Sequence, residues 1–451
     1  MKASQSMHDM QQQQPPTVPE KAHPGGDIRA RWPWVEGSVW TDRMLEALET
    51  GFRGGRWFRL IDKVYAERTL QRSWERVSAN GGSAGVDGMT VERFSQNCQS
   101  GLLALREQLK ASTYRASAVR RVWIEKPGGG QRPLGVPTVK DRVVQGALRM
   151  VIEPIFENTF AEHSYGFRPR RGCKDALRQV DALLHRGNHW VVDADLKSYF
   201  DTIPHGRLME KVNEHIADGR VLGLIEGFLK QGVMEQLRYY EAAEKGTPQG
   251  AVMSPLLANI YLNDLDHLME QSGWEMVRYA DDFVILCRSQ QEAEAALGRI
   301  QQWVTANGLT LHPEKTRLVD ASQPGGFDFL GYHFERGRKW PCKKSVAKLR
   351  ENLRPRTRRT NGHAMKVIVT DINRTLRGWY EYFKQGLITR LRDQDRWVRK
   401  RLRSLLRHRD KRRGIAKHVD QLHYPNCYFI ELGLFSLERA KQLELWSSHR
   451  R

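Results

Sequence analysis

The sequence predicts an α+β chain that ends in a basic, all-helical quarter, and three observations carry that expectation. Short runs with period-two alternation, such as Trp190-Val191-Val192-Asp193-Ala194-Asp195-Leu196, read as strands. Longer amphipathic runs, such as Arg142 to Phe156 and Gln291 to Asn307, read as helices. Charge is divided unevenly within a net of +21: from Arg336 onward there are 32 Lys and Arg against 10 Asp and Glu, leaving 41 against 42 before it. A merely solvated surface would spread that excess, so the last quarter is expected to meet a polyanion.

The remaining composition bounds the class. With 451 residues and 40% hydrophobic content the chain has room for two to four domains. No run reaches the ~18 apolar residues of a membrane helix. Met1 to Gly26 is polar and Gln/Pro-rich, without a signal pattern, and reads as a disordered tail on a cytoplasmic protein. Cys98, Cys173, Cys287, Cys342 and Cys427 are scattered with no C-x-x-C, which supports neither a zinc ribbon nor a disulfide framework.

In chain order, Trp57 towards Val77 is helical, and Asn80 to Gly88 is a glycine-rich loop lacking a P-loop lysine. Val91 to Lys110 reads as a helix and Val119 to Ile124 as a strand. Lys126 to Pro137 then forms a glycine hairpin with a cation at each foot, Lys126 and Arg132, able to hold one triphosphate. Tyr165 to Gly172 is a basic aromatic loop containing Arg168. On the strand that follows, Asp193 and Asp195 share one face. Lys245 to Gly250 is a loop whose glycines let a nucleobase or sugar approach the backbone, and a small-residue helix follows from Ser254.

Tyr279-Ala280-Asp281-Asp282 sits between Met276-Val277 and Phe283-Val284-Ile285-Leu286, which predicts a β-hairpin with adjacent carboxylates at its tip. Taken alone, such a pair is most often a solvated turn. Adjacent carboxylates also suit a divalent cation, which relieves their repulsion. Lys315 follows a short apolar run, and Phe327 to Tyr332 reads as one further strand. In the basic quarter, Arg396, Arg399, Lys400, Arg403 and Arg407 recur at i+3/i+4 spacing, opposite Val398, Leu402, Leu405 and Leu406. That is a packed helix with a basic outer face suited to phosphates. Together these parts are what nucleotidyl transfer requires: three carboxylates for two Mg²⁺ ions, cations for a triphosphate, and a phosphate-tracking surface.

Seven blocks, in order, resemble the reverse transcriptase–maturase proteins of bacterial group II introns, of the type lacking an endonuclease domain. They are Gly85 to Gly88, Arg132 to Pro137, Ser164 to Pro169, Asp193 to Asp201, Gly246 to Gly250, Tyr279 to Asp282, and Leu376-Arg377-Gly378-Trp379. The last block, with Asn426 through Leu437, sets the chain apart from retroviral and retron enzymes. His418, His423 and Cys427 lack the second cysteine that an endonuclease zinc site requires.

The resemblance implies a right-hand polymerase, with fingers and an antiparallel palm sheet, followed by an α-helical thumb or X domain. It divides the chain into a disordered, lineage-specific extension at 1–55 and an N-terminal fingers region at 56–118. Fingers and palm take 119–335, the thumb takes 336–413, and 414–451 is a short basic tail, the place for a DNA-binding remnant. It assigns Asp195, Asp281 and Asp282, with the Leu196 carbonyl, to two Mg²⁺ ions. Phe200, five residues after Asp195, is the gate against a 2′-hydroxyl, Gln249 touches the incoming dNTP and template, and Lys126 and Arg132 hold the triphosphate. Lys315 protonates pyrophosphate, and Tyr332 or its neighbours form a primer grip. Asp193 and Asp201 are structural.

The implied activity is RNA-directed DNA synthesis together with binding of the intron RNA to assist splicing, then copying into target DNA from a DNA primer during retrohoming. Its setting is the bacterial cytoplasm, without a membrane partner. A splicing factor with a retained polymerase scaffold, and a reverse transcriptase recruited to defence or repair, are the alternatives. All three metal carboxylates are intact, which favours an active polymerase.

Overall fold

Eleven strands fall into three sheets among the described residues. The computed structural model describes residues 27–51, 55–125, 129–235, 238–241 and 244–448. In chain order the strands are β1 (Val119–Glu125), β2 (Gln131–Val136), β3 (Trp190–Asp195), β4 (Val233–Glu235), β5 (Arg238–Tyr240) and β6 (Glu275–Tyr279). They continue with β7 (Asp282–Cys287), β8 (Arg317–Asp320), β9 (Phe327–Phe329), β10 (Tyr332–Glu335) and β11 (Arg338–Pro341). The chain divides into two compact units. One takes the chain up to Gly172, Leu196–Leu268 and Gln301–Thr310; the other takes Cys173–Asp195, Met269–Ile300 and Leu311–Arg451.

The first unit is built on the helix Val139–Glu157, whose Val143, Val144, Ala147, Leu148, Val151 and Ile152 are fully buried. The helix Glu67–Asn80 lies against it, and Ser73 Oγ donates to the Val143 carbonyl at 2.6 Å. Gly146 makes this approach possible, since a Cβ there would stand 2.3 Å from Ser73 Oγ. The sheet β2-β1-β4-β5 belongs to this unit, with β1 antiparallel to β2 and parallel to β4.

Two sequence expectations change here. Val91 to Lys110 is two helices, Val91–Gln96 and Cys98–Lys110, because Asn97 leaves the helical conformation at φ −124° and ψ 31°. The extension at 1–55 is not disordered where it is described. Asp42–Thr50 is a helix capped by Thr41, and Trp40 is wholly buried with its Nε1 donating to the Met150 carbonyl at 3.2 Å. Trp32 Nε1 donates to Glu49, so these tryptophans anchor the extension to its own helix and to the core.

The second unit contains the antiparallel sheet β6-β7-β3-β8, the small sheet β11-β10-β9 and a helical body. Phe327 to Tyr332 is not one strand but two, turned at Leu330 and Gly331, both with positive φ. The helices Lys343–Arg356, Met365–Phe383 and Ile388–Arg409 bury one apolar core that includes Leu353, Ile372, Leu376 and Leu402.

Phe429 and Leu437 are fully buried in that same core, so 414–448 is part of the helical body and not a separate tail. The helix Leu437–Ser448 is fastened at its start by Asp395, which accepts from Ser436 Oγ and from the amides of Leu437 and Glu438.

Candidate active site

The carboxylates come together because β3 and β7 are neighbours in register. Asp195 pairs with Asp282 across the two strands, and Asp193 pairs with Val284 on one side and Arg317 on the other. The β6–β7 turn places Ala280 and Asp281 between Tyr279 and Asp282. Ala280 has a φ of 61°, a left-handed conformation that costs a side-chain-bearing residue roughly 1–2 kcal/mol. Arg278, fully buried in β6, donates from Nη1 to the Ala280 carbonyl at 2.9 Å and so supports the turn from below. Sequence reasoning passed over Arg278, although a cation in the middle of Met276-Val277-Arg278-Tyr279 is the signal that could have found it.

The charges at this site are only partly balanced. Asp193 and Arg317 form an ion pair at 3.0 Å, with the Asp193 side chain 15% exposed. Burial pushes the Asp193 carboxyl above the usual range, while Arg317 works against that rise. Lys315 Nζ binds Asp195, and the Asp195 carbonyl accepts from the His312 amide at 2.8 Å. Asp282 is pushed up to about 7 by burial first, then by Asp193, Asp195 and Asp281, with Lys315 pulling it down.

Such a group of hard oxygen donors with excess negative charge suits a divalent cation. The Lys315 ammonium, seated on Asp195, occupies the place of positive charge that the carboxylates require. Among the described residues, no three His, Cys, Asp or Glu side chains are drawn close enough to enclose an ion. The carboxylates are thus electrostatically coupled but not closed into a ligand cage.

In the other unit, Arg132 is exposed on β2 and has no ion-pair partner among the described residues. Lys126 lies outside the described residues. The Gln249 side-chain amide donates to both Asp201 carboxylate oxygens at 3.2 Å, while the Gln249 backbone carbonyl accepts from the Gly135 amide at 2.7 Å. Asp201 is therefore the residue that orients Gln249. Phe200 stands edge-on to Phe167 with ring centroids 6.5 Å apart, and its carbonyl accepts from the Thr247 amide. Gly246 must be glycine here, since its φ is 95° and a Cβ would lie 3.0 Å from the Asp201 carbonyl. Leu196 buries its side chain directly after Asp195.

Three predicted nucleic-acid contacts are turned inward instead. Arg168 is buried, bridging Glu157 at 2.8 Å and donating to the carbonyls of Ala161 and Ser164. Arg403 is 6% exposed and bonds the Tyr424 carbonyl and Asn426, stacked over Phe429. Arg407 pairs with the wholly buried Asp420 at 3.0 Å. Their i+3/i+4 spacing is that of a basic stripe, but the chain beyond Arg413 folds back over it. Arg396 and Lys400 are exposed and Arg399 is half-exposed, as a phosphate-facing surface requires.

A strand-end aspartate paired in register with an Asp-Asp hairpin on an antiparallel sheet defines the palm of a nucleic-acid polymerase. Residues 124–334 match the reverse transcriptase (RNA-dependent DNA polymerase) family, and residues 346–423 match the group II intron maturase-specific domain. The protein YkfC of Escherichia coli is 33% identical over 293 residues, 56% of this chain and 76% of YkfC. The group II intron-encoded protein LtrA of Lactococcus lactis subsp. cremoris is 40% identical over 187 residues, 41% of this chain and 30% of LtrA. A 91 kDa protein in the cob intron of Schizosaccharomyces pombe is 39% identical over 296 residues, 52% of this chain and 35% of that protein.

The chain belongs to the group II intron reverse transcriptase–maturase family. It spans about a third of the length of the lactococcal and fission-yeast relatives, and three quarters of YkfC. Enzymes with this polymerase domain use divalent metal ions, and its maturase domain goes with RNA binding. No described helix is long and apolar enough to cross a membrane.

Proposed function

We propose that this chain is the RNA-directed DNA polymerase of a group II intron, which binds that intron's RNA to assist its splicing and copies it into DNA at the insertion site. The observation that carries the reading is the register pairing of Asp195 with Asp282 beside the Asp281 turn, on a chain that also carries a maturase-specific domain. Asp195, Asp281 and Asp282, with the Leu196 carbonyl, are the groups that would hold two Mg²⁺ ions. Bound there, such ions would supply activation of the primer 3′-hydroxyl and neutralisation of charge on the departing pyrophosphate.

The chain's own residues do the rest. Arg317 keeps Asp193 occupied, so that Asp193 does not compete for the ions. Lys315 exchanges Asp195 for the pyrophosphate oxygens, to which it gives a proton. Lys126 and Arg132 hold the triphosphate, and Gln249, kept in place by Asp201, touches the incoming dNTP and the template. Phe200, braced by Phe167 and Tyr199, closes the space that a 2′-hydroxyl needs. Arg396, Arg399 and Lys400 contact the phosphates of the RNA.

Residues 56–118 and 119–335 act as fingers and palm, and 336–413, extended by 414–448, as the thumb and maturase body. Primer extension on an RNA template with dNTPs and Mg²⁺ tests the reading, together with splicing of the flanking transcript. Extension and splicing that both need the protein support it. Splicing without extension by the folded wild type replaces it with a splicing-only maturase.

A further inference from the structure

The end of the helix Met365–Phe383 is fastened to the small sheet of its own unit by two reciprocal bonds. The Tyr332 hydroxyl, at the start of β10, donates to the Tyr382 carbonyl at 2.7 Å. The Tyr382 hydroxyl donates to the Leu330 carbonyl at 2.8 Å, in the turn between β9 and β10. Leu330 has a φ of 46°, a left-handed conformation that a side-chain-bearing residue keeps only when its surroundings hold it. Tyr332 is fully buried, its ring centroid 5.1 Å from that of Phe383, so it braces the helix and is not itself open to a primer.

A second contact leads from the Tyr382 hydroxyl to the Asp281 turn. Cys173, the first residue of the helix Cys173–His185, meets two hydroxyls with its thiol, those of Tyr382 and Tyr279. Proton counting orders the groups. A tyrosine hydroxyl has a single proton, and that of Tyr382 goes to the Leu330 carbonyl, which can only accept. The Tyr382 oxygen is left to accept from the Cys173 S–H, and the Cys173 sulfur to accept from the Tyr279 O–H. The bonds run in one direction, from Tyr279 through Cys173 and Tyr382 to Leu330, and each proton has an acceptor. All three side chains are half-buried, where such bonds are stronger than in water.

The two ends of this chain of bonds lie in different functional parts. Tyr279 closes β6 and pairs in register with Asp282, with only Ala280 and Asp281 between them. A shift of the Tyr279 ring therefore moves the stem of the turn that carries both aspartates. Tyr382 lies within residues 346–423, the segment that matches the maturase-specific domain. Lys339 steadies the span between the two: it binds Asp181, on the helix that begins with Cys173, and donates to Gln385 Oε1 at 2.8 Å, three residues beyond Tyr382.

We propose that Cys173 and Tyr382 are positioning residues for nucleotidyl transfer, through which the maturase segment holds the Asp281 turn in place by way of Tyr279. The inference rests on the polymerase reading above. Both residues act through Tyr279 and not on the reacting atoms, so losing either should slow the chemical step and leave the binding of dNTP and RNA unchanged.

The experiment uses the full chain in single-turnover extension of a DNA primer on an RNA template with Mg²⁺, over a range of dNTP concentrations. Tyr382→Phe removes only the hydroxyl, Cys173→Ala removes the thiol, and Cys173→Ser restores a donor and an acceptor. Tyr382→Phe and Cys173→Ala should each lower the maximal rate by on the order of tenfold. The half-saturating dNTP concentration and the RNA affinity should stay within about twofold of wild type. Cys173→Ser should recover most of the rate. A protein carrying both Cys173→Ala and Tyr382→Phe should be no slower than the slower single variant, because the two act in one chain of bonds.

A purely structural role would lower the melting temperature and leave the rate of the folded protein at the wild-type value. Wild-type rates in the folded single variants, effects that multiply in the double variant, or a Cys173→Ser protein as slow as Cys173→Ala would each overturn the inference. Should Tyr382→Phe fail to fold, the contrast between Cys173→Ala and Cys173→Ser still decides it. A folded wild type that extends no template sinks the polymerase reading, and the inference with it.

Discussion

With divalent metal chelated, Asp282→Asn is expected to stabilise the protein at pH 8, and the gain should fade as the pH falls towards 4. The carboxyl moves from an ordinary value of 3.8 to about 7 on folding, chiefly through burial and then through Asp193, Asp195 and Asp281. A raised carboxyl binds more protons folded than unfolded, so its contribution to stability is fully present below 3.8 and is lost as the pH rises through about 7. Each pH unit between those values corresponds to about 1.4 kcal/mol, which makes the ionised carboxylate cost the fold about 4 kcal/mol above pH 7. Asparagine carries no such charge.

Urea denaturation in EDTA at pH 5 and pH 8 measures the difference directly. A gain of about 2–4 kcal/mol at pH 8, and about half of it or less at pH 5, is the expected result. Adding Mg²⁺ should then stabilise wild type more than the variant, because only the folded wild type keeps the full carboxylate set. A variant that is less stable than wild type at pH 8, or a difference independent of pH, would refute the electrostatic account of the site.

Other expectations follow from the same geometry. Lys315→Met should raise the acid limit of extension, because it removes the cation that lowers the Asp282 carboxyl, and should slow the chemical step in single-turnover assays. Arg168→Ala leaves Glu157 buried without its partner and should destabilise the first unit by about 3–5 kcal/mol, seen as a lowered urea midpoint. The pair Arg396→Ala and Lys400→Ala should weaken RNA binding and flatten its salt dependence without lowering the melting temperature, whereas Arg403→Ala should lower the melting temperature. Phe200→Ala should admit ribonucleotides, and an unchanged preference for dNTPs in competition assays would remove the gate assignment.

What was legible in the sequence depended on the range of the interaction. Period-two alternation gave β3 and a short apolar run gave β7, each to within a residue, and motif order gave the family, because all are local patterns. The register that sets Asp195 opposite Asp282 was not legible, nor was the ion pair of Arg317 with Asp193, since both join strands far apart in the chain. The arginine stripe misled for a related reason. Spacing on a helix shows which residues share a face, but not that the segment around Tyr424, Asn426 and Asp420 covers that face and takes Arg403 and Arg407 as partners. Trp40 was unreadable because an isolated apolar residue shows no period.

The measurement that bears most directly on the central claim is single-turnover primer extension on an RNA template, with wild type and Asp281→Asn assayed beside their affinity for the same RNA. The account predicts that wild type extends with dNTPs and Mg²⁺, and that the variant loses extension while its RNA affinity stays within about twofold, a change under about 0.5 kcal/mol. A variant that still extends, or one that loses RNA binding together with extension, would contradict the assignment of the Asp281 turn to the metal site.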